Sequence, residues 1–398
     1  MSYLDFKDPR PIKEMGEYDV LVVGGGVAGV SAALSASRLG ASVILLEKSL
    51  ILGGLATAGN ISWYEPLCDG NGLKMVGGIG EELIKAAVKY GPEDLPSIWK
   101  EERDKTEYDP RYACFFSPTI FSLVLNNLLE KENVHVLMDI SASYPIMDGN
   151  NCNAVVAEAR EGKIVIFAKT VIDATGDASI CHSAGIPTVG GKNRFTYMAH
   201  ILSLNKMKKI NNKNEMIRAR EWKWFGYTLD QGENRERDLE GITTEDVTEY
   251  NRKGQSILFD ALKNEEKGSL DIISLPSLAQ FRTIRHIVGE YDFTGEENRY
   301  DDSIGCTGDF RKRGPRFQIP YRILYSSRFP NILAAGRIVS ASSDGWEITR
   351  VIPVAALTGE ASGAAAYMAV KNRCSVGEIN IKELQEILKN KGVIIDWI

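Results

Sequence analysis

Residues 20–48 read VLVVGGGVAGVSAALSASRLGASVILLEK, and this stretch decides the fold. Val20 to Val23 is a short apolar run with the β-branched content of a strand buried in a parallel sheet. It runs straight into Gly24-x-Gly26-x-x-Gly29 and then an apolar, alanine-rich segment of helical spacing, Val30 to Leu39. In a strand–turn–helix unit the three glycines have separate tasks. Gly24 permits the tight turn, Gly26 lets a pyrophosphate approach the backbone, and Gly29 lets helix pack closely on strand. The phosphates would then rest on the free N–H groups around Gly25, Gly26, Val27 and Ala28, where the helix dipole favours negative charge. Ser42 to Leu46 is the second strand. Glu47 at its end lies within the ~20 residues expected of an acid that accepts hydrogen bonds from ribose hydroxyls. Strand, turn, helix, strand and acid together predict a dinucleotide site.

Which dinucleotide follows from what comes next. After Lys48 the chain carries a second glycine turn, Gly53-Gly54-Leu55-Ala56-Thr57. A nicotinamide domain has no need of one there. A flavin dinucleotide does, because the chain must run along its ribityl and ring portion. Two further segments agree. Val171-Ile-Asp-Ala-Thr-Gly-Asp177 is a strand ending in a tight turn. Asn331-Ile-Leu-Ala-Ala-Gly336-Arg337 is another, followed after a loop by the small-residue helix Ile352 to Val370.

These segments carry a resemblance. Leu52 to Gly59 fits LGG-A-T-G, Gly77-Gly78-Ile79 with Glu82 fits GGI–E, and Phe116 with Pro118 fits F-P. Ile172 to Asp177 is IDATGD, Arg282 to Tyr291 fits R–R-I-GEY, and Ala335 to Ser340 fits AGR-IS. Over residues 17–370 the chain resembles the bacterial FAD-dependent oxidoreductases of the glutathione-reductase-type fold. The resemblance implies an α/β architecture, an FAD-binding Rossmann-like domain with an inserted mixed α+β substrate domain. It places FAD against Gly24 to Gly29, Glu47, Lys48, Gly53 to Thr57 and the backbone of Val136 beside the adenine. Ala174, Thr175, Gly176, Gly336, Arg337, Arg350, Val351 and Ile352 complete the set. The N-terminus of the last helix would face the flavin N1/O2 edge and stabilise the anionic reduced ring. Pro353 suits the first turn of that helix.

Composition fits an enzyme of this kind. The chain has 398 residues, 44% hydrophobic and 25% charged, enough for two globular domains. No run approaches the ~20 apolar residues of a membrane span. The start, MSYLDFKDPRPIKEMGEYDV, has neither an apolar core nor a cleavage pattern, so it is expected to be neither signal nor anchor. A net charge of −6 argues against nucleic acid as the main partner. A cytoplasmic protein without membrane attachment is expected. The cysteines at 68, 114, 152, 181, 306 and 374 form no close pair, which removes a redox disulfide, a zinc ribbon and an iron–sulfur cluster. They read as free thiols, Cys68 alone lying in a loop that the resemblance brings near the flavin. The histidines at 135, 182, 200 and 286 lack paired-ligand spacing, so no metal site is expected.

The organisation follows. Residues 1–16 form a polar leader, 17–189 and 319–370 the FAD-binding domain, 190–318 a substrate or cap domain, and 371–398 a helical tail. Pro118 opens a helix over 120–129, and Val134 to Met138 is a strand. Tyr144 to Phe167 looks like a β-meander, from which a strand at 169–174 returns to the cofactor. In the cap, Lys206 to Arg220 is basic and Thr244 to Lys263 an amphipathic helix capped by Thr243 or Thr244. Ile381 to Leu388 is a last amphipathic helix.

Within the cap, Phe281-Arg-Thr-Ile-Arg-His-Ile-Val-Gly-Glu-Tyr-Asp-Phe293 concentrates cationic groups. The β-branched run Thr283 to Val288 favours a strand with Arg282, His286 and Glu290 on one face and Arg285 on the other. Arg282, Arg285 and His286 are the candidate catalytic residues, a pocket that orients a carboxylate or polarises a carbonyl. The competing reading pairs one arginine with Glu290, Asp301 or Asp302. His286 stands where the family commonly has another arginine. Arg311-Lys-Arg313-Gly-Pro-Arg316 reads as a solvated loop.

The expected chemistry is hydride transfer between a small polar or anionic substrate and flavin N5, with a neighbouring acid or base moving the proton. No second GxGxxG is present for a dedicated nicotinamide domain. The electron partner, the substrate, the direction and the mode of flavin attachment stay open. Two alternatives stand beside this reading. One is a tRNA-modifying flavoprotein, which would want a basic surface and a long helical C-terminal domain. The other is a non-catalytic flavin-binding module, which would not need the cap.

Overall fold

A computed structural model of the protein describes residues 11–95, 113–226 and 238–397. Its centre is a seven-stranded sheet. β1 (Lys13–Val23), β2 (Val43–Glu47), β5 (His135–Met138) and β8 (Gly162–Asp173) run parallel in the order β5-β2-β1-β8. β16 (Ile332–Ala334) also pairs β8 in parallel, against Val171 to Asp173. β6 (Ser141–Asp148) and β7 (Asn151–Ala159) continue the sheet antiparallel beyond β8.

The strands alternate between two apolar layers. Val20, Val22, Val43 and Leu45 point to one, while Leu21, Val23, Ile44 and Leu46 point to the other. The first layer is covered by α1 (Val27–Arg38) and α5 (Ile352–Asn372), with α2 (Gly78–Tyr90), α3 (Pro118–Lys131) and α6 (Ile381–Asn390) outside them. Helices α1 and α5 meet backbone to backbone. A Cβ on Gly359 would lie 2.1 Å from Ala28 O, and one on Gly363 2.2 Å from Ala32 O, so only glycine permits this spacing. The carboxyl ends of β1, β2, β8 and β16 therefore open on one edge of the sheet, the place where parallel α/β folds bind ligands.

The insertion carries its own small core. β10 (Thr196–Ser203) lies between β11 (Arg220–Gly226) and β12 (Leu270–Ser274) in an antiparallel sheet. α4 (Thr244–Lys263) packs on it through Tyr197, Tyr250, Leu258 and Phe281. Short ribbons complete the chain: β3 (Trp63–Tyr64) with β4 (Cys114–Phe115), β9 (Thr188–Gly190) with β13 (Arg285–Ile287), and β14 (Ser303–Gly308) with β15 (Arg316–Pro320).

Three local expectations change. Lys13 to Gly16, placed in the polar leader, belong to β1, because Lys13 and Glu14 pair with Ile164 and Val165 before a bulge at Gly16. Residues 1–10 of that leader lie outside the described residues. The last strand of the meander and the strand returning to the cofactor are one element, β8. The basic run from Arg311 is a solvated loop only at Lys312 and Arg313: Arg311 bridges Asp309 and Asp344, and Arg316 reaches the buried Asp69 at 2.7 Å. Among the described residues no helix is long and apolar enough to cross a membrane.

Candidate cofactor and substrate site

The first glycine loop has the shape that its sequence requires. Gly24 has φ +104°, and a Cβ there would meet Ala174 O at 2.4 Å. A Cβ on Gly29 would lie 1.8 Å from Gly24 O. At Gly26 the same construction meets nothing within 4 Å. Gly24 and Gly29 are thus glycines for the protein's own backbone, and Gly26 is a glycine facing open space. Gly26 is also the N-cap of α1, in an extended conformation, with no side-chain cap and no acid in the first turn. The free N–H groups of the first turn and the space beside them fit a pyrophosphate.

Glu47, buried at the end of β2, accepts a 2.6 Å hydrogen bond from Gly25 N–H on Oε2 and one from Ser49 N–H on Oε1. Each oxygen keeps a second lone pair for a ribose hydroxyl. The second glycine turn lies against the first: Gly53 N–H donates to Gly25 O at 2.8 Å, and Gly26 bridges Gly53. Leu55, Ala56 and Thr57 continue from Gly54 in a single helical turn. Val136 pairs with Leu45 on the neighbouring strand β5, while Lys48 is exposed.

The third and fourth segments close the edge. Ala174 N–H donates to Val23 O, which sets the Ala174-Thr175-Gly176 turn beside the first loop. Asp173, fully buried, fixes this turn by accepting from the N–H and hydroxyl of Thr175 and from Cys181 N–H. Gly336 donates to Thr358 Oγ1 of α5, and a Cβ on it would sit 3.0 Å from Ala28. Arg337 Nε donates to Gly176 O and Arg285 Nε to Asp177 O, so two arginines distant in sequence converge on adjacent carbonyls of one turn. Val351 is the N-cap of α5, which again has no side-chain cap and no first-turn acid, and Pro353 occupies its first turn. Ile352 opens the helix, and Arg350 just ahead of it pairs with Glu347.

Of the three catalytic candidates, the structure brings Arg285 and His286 onto β13 and leaves Arg282 outside it. The strand is shorter than Thr283–Val288 because Asn193 Oδ1 accepts from both Arg282 N–H and Thr283 N–H, replacing a strand ladder. His286 Nδ1–H donates to Ile287 O and its ring meets Trp346 edge-on at 4.5 Å. Burial pushes the imidazole down from its ordinary value, so it is neutral. Trp346 in turn donates its indole N–H to Arg337 O.

Arg282 is the unusual member. Its charged end lies deep among protein atoms while the side chain stays partly open to solvent, and burial with the charge of Arg350 pushes it down to about 10. Among the described residues no carboxylate lies within ion-pair distance of Arg282 or Arg285. Of the three partners foreseen for one of them, Asp302 is taken by Arg322 at 3.0 Å. Arg337 is likewise deep and partly accessible, lowered to about 10 by burial. Arg282, Arg337 and Arg350 are all partly accessible, and the carboxylates that act on them are Glu347, paired with Arg350, and Asp177, near Arg337. Cys68 is buried, its sulfur accepting from Gly70 N–H. Among the described residues no cluster of His, Cys, Asp and Glu could hold a metal ion.

The family described as FAD dependent oxidoreductase matches residues 19–388. The chain belongs to that family. Its cofactor is FAD, and the glycine loops, Glu47 and the two uncapped helix starts are the features of this chain that fit it. The chain is 28% identical over 190 residues to 6-methylpretetramide 4-monooxygenase of Streptomyces rimosus, covering 45% of this chain and 43% of that protein. It is 42% identical over 77 residues to digeranylgeranylglycerophospholipid reductase 2 of Methanothermobacter thermautotrophicus, covering 19% and 20%. These matches span less than half the length of the curated relatives. A geranylgeranyl bacteriochlorophyll reductase-like protein of Thermoplasma acidophilum superposes with a TM-score of 0.50 at 17% identity, over 95% of this chain and 84% of that one. That likeness shows the fold, an FAD-binding Rossmann-like α/β domain with an insertion.

The structure also brings together Trp63, Phe115, His200 and Trp222, a cluster that the sequence reading did not foresee. The available signal was the alternation Arg220-x-Trp222-x-Trp224 on a strand.

Proposed function

We propose that the protein transfers a hydride between a C–H bond of a small anionic organic molecule and its flavin. The observation that carries this reading is Arg282: a deep, partly accessible guanidinium without an ion-pair partner among the described residues, beside Arg350. An arginine so placed gains a planar, bidentate partner when a carboxylate enters. Bound FAD supplies the hydride acceptor or donor at N5. The chain's own residues supply the rest. Residues 17–189 with 319–370 hold the cofactor, and 190–318 roof the reacting face and exclude water. Arg282 orients the substrate. Arg285 and Arg337 fix the Gly176–Asp177 turn against the cofactor. His286, neutral and with Nδ1–H committed to Ile287 O, keeps Nε2 free to take or return the substrate proton. Six free cysteines, five of them buried, suit a reducing compartment, so we place the protein in the cytoplasm.

The test is anaerobic bleaching of the flavin by a panel of hydroxy, amino and unsaturated carboxylates and their neutral analogues. A carboxylate is expected to reduce the flavin, or its unsaturated counterpart to reoxidise it. Arg282→Met is expected to lower that second-order rate constant about 100-fold, the loss of a charge-assisted pair worth about 3 kcal/mol, with FAD retained. Reduction that is indifferent to the carboxylate, or unchanged in Arg282→Met, sinks the assignment. Retention of RNA without turnover would point to a tRNA-modifying flavoprotein, and a flavin that no donor reduces to a binding module. The match to a monooxygenase supports one second reading, oxygen insertion after reduction by a nicotinamide donor. An oxygen atom gained by the organic product would establish it.

A further inference from the structure

Residues 58–60 leave the second glycine turn and enter β3, and the cap grips them along their length. Ser277 N–H donates to Ala58 O at 2.8 Å, and Gln280 Nε2 to Gly59 O at 2.7 Å. Asn60 Nδ2 donates to Ser274 O at 3.2 Å and Ser274 Oγ to Asn60 Oδ1 at 2.8 Å. The loop expected to run along the flavin and the floor of the cap are therefore hydrogen-bonded into one body.

Immediately after this junction the same body presents an aromatic face. Trp63 of β3 and Phe115 of β4 meet edge-on with centroids 4.0 Å apart. Trp222 of β11 lies 5.0 Å from Phe115 and 5.6 Å from Trp63. Phe115 is 41% exposed and the two indoles are half-buried, so three rings share a face that no described residue fully covers.

One side chain holds this face in register. His200 stands opposite Trp222 in the cap sheet, lies nearly parallel to it at 19° with ring centroids 6.2 Å apart, and accepts its indole N–H on Nε2 at 2.5 Å. A hydrogen bond to the Asn60 backbone engages its other side. His200 is 1% exposed, and burial, with the charge of Arg220 beside it, pushes it down to about 4, so the accepting lone pair persists at neutral pH. The imidazole thus links the flavin loop to the position of Trp222.

We propose that Trp63, Phe115 and Trp222 form the wall of the substrate site and take a flat, unsaturated or aromatic body, with His200 as the positioning residue that locks the wall to the flavin loop. This deepens the oxidoreductase reading by naming the substrate's shape. It is independent of the anionic group assigned to Arg282. Rings present their edges and faces to an unsaturated body and gain from both, whereas a saturated body of equal size gains area alone.

The FAD-loaded protein is titrated with naphthalenemethanol and with its fully hydrogenated counterpart, decalinmethanol, while the visible flavin band is followed. Both probes are neutral, so failure of the Arg282 assignment leaves this measurement intact. The aromatic alcohol is expected to bind about 10-fold tighter. Trp222→Leu should erase the preference. His200→Phe should weaken it and His200→Gln should keep it, since the glutamine amide can accept the indole N–H and donate to Asn60. Should Trp222→Leu lose its FAD, Phe115→Leu at the exposed edge carries the same test. Equal affinities, a preference that survives loss of both rings, or no response to either alcohol overturns the proposal.

Discussion

At the ends of β1, β8 and β16 the closest approaches are made at glycine backbone. Gly24 meets Ala174 O, Gly29 meets Gly24 O, and Gly359 meets Ala28 O, all at distances that a Cβ would occupy. In residues 190–318 and the segments packed on them the contacts are made by side chains: His286 against Trp346, and His200, Trp222, Trp63 and Phe115 among themselves. The first arrangement has almost no chemistry to vary, and it holds a cofactor that does not vary. The second is a set of independent side chains, each replaceable without moving the main chain. On the proposed assignment, cofactor binding and substrate choice are separable, and substitutions in the two regions are expected to fail differently.

The largest effect is expected inside the glycine loop. Gly29→Val drives atoms into Gly24 O from a built Cβ position only 1.8 Å away, and should cost well over about 4 kcal/mol, enough to prevent folding. Gly26→Ala adds a Cβ to empty space, so the protein should fold with a normal melting temperature. Its FAD affinity should nonetheless fall about 100-fold, or about 3 kcal/mol. Equal loss of folding in both variants would show that Gly26 serves the backbone, not a phosphate.

How far each side was legible in the sequence follows the same division. The cofactor edge is written in local patterns: Gly24 to Gly29, Glu47, the Ala174–Gly176 turn and Pro353 each sit where short-range chemistry puts them. Helix α4 was equally readable, down to Thr243 accepting the N–H of Asp246 at 3.1 Å. The cleft was not. Arg282 leaves the expected strand because Asn193, about ninety residues earlier, takes its N–H. Lys13 joins β1 through a partner in β8, and Arg316 is held by Asp69, both distant in sequence. His200 and Trp222 carry no spacing motif, and only the pairing of β10 with β11 sets them face to face. Side chains that meet through tertiary pairing leave no periodic trace.

Glu360 is an ionisable side chain of the glycine-packed half, along with buried Glu47 and Asp173, and it gives that half a pH dependence near neutrality. Glu360, 2% exposed beside Gly359, accepts Ile79 N–H at 2.8 Å. Burial, only partly opposed by that hydrogen bond, pushes its carboxyl from 4.5 up to about 8. The folded state therefore prefers the protonated acid. Its contribution is full below the unfolded value and is lost as pH rises from 4.5 towards 8. The loss is at most about 5 kcal/mol. Urea midpoints near the two ends of that window should differ in the wild type and converge in Glu360→Gln. A slope that survives the substitution assigns the titration to another group.

On the side-chain half, activity and stability should part company. Arg282→Met removes a deep cation that has no carboxylate within ion-pair distance among the described residues, and the methionine fills much of the same space. The variant should lose carboxylate-dependent reduction yet melt at the same temperature or a few degrees higher, about 1 kcal/mol of relief. A melting temperature that falls with the activity would identify Arg282 as a structural group and remove it from the substrate site.

The smallest effect asks whether the two halves are one cooperative unit. Thr243→Ala deletes the N-cap of α4 and should cost about 1 kcal/mol. Tyr197, Tyr250, Leu258 and Phe281 form a core separate from the layers around the main sheet. The loss is therefore expected to be local, with faster amide exchange over Thr244–Lys263 and unchanged protection in β1 and β8. The opposing force is the grip of Ser274, Ser277 and Gln280 on residues 58–60, which ties cap to cofactor loop. If protection falls equally in β1 and β8, that grip outweighs the separate core. The cap and the sheet then open together as one cooperative unit.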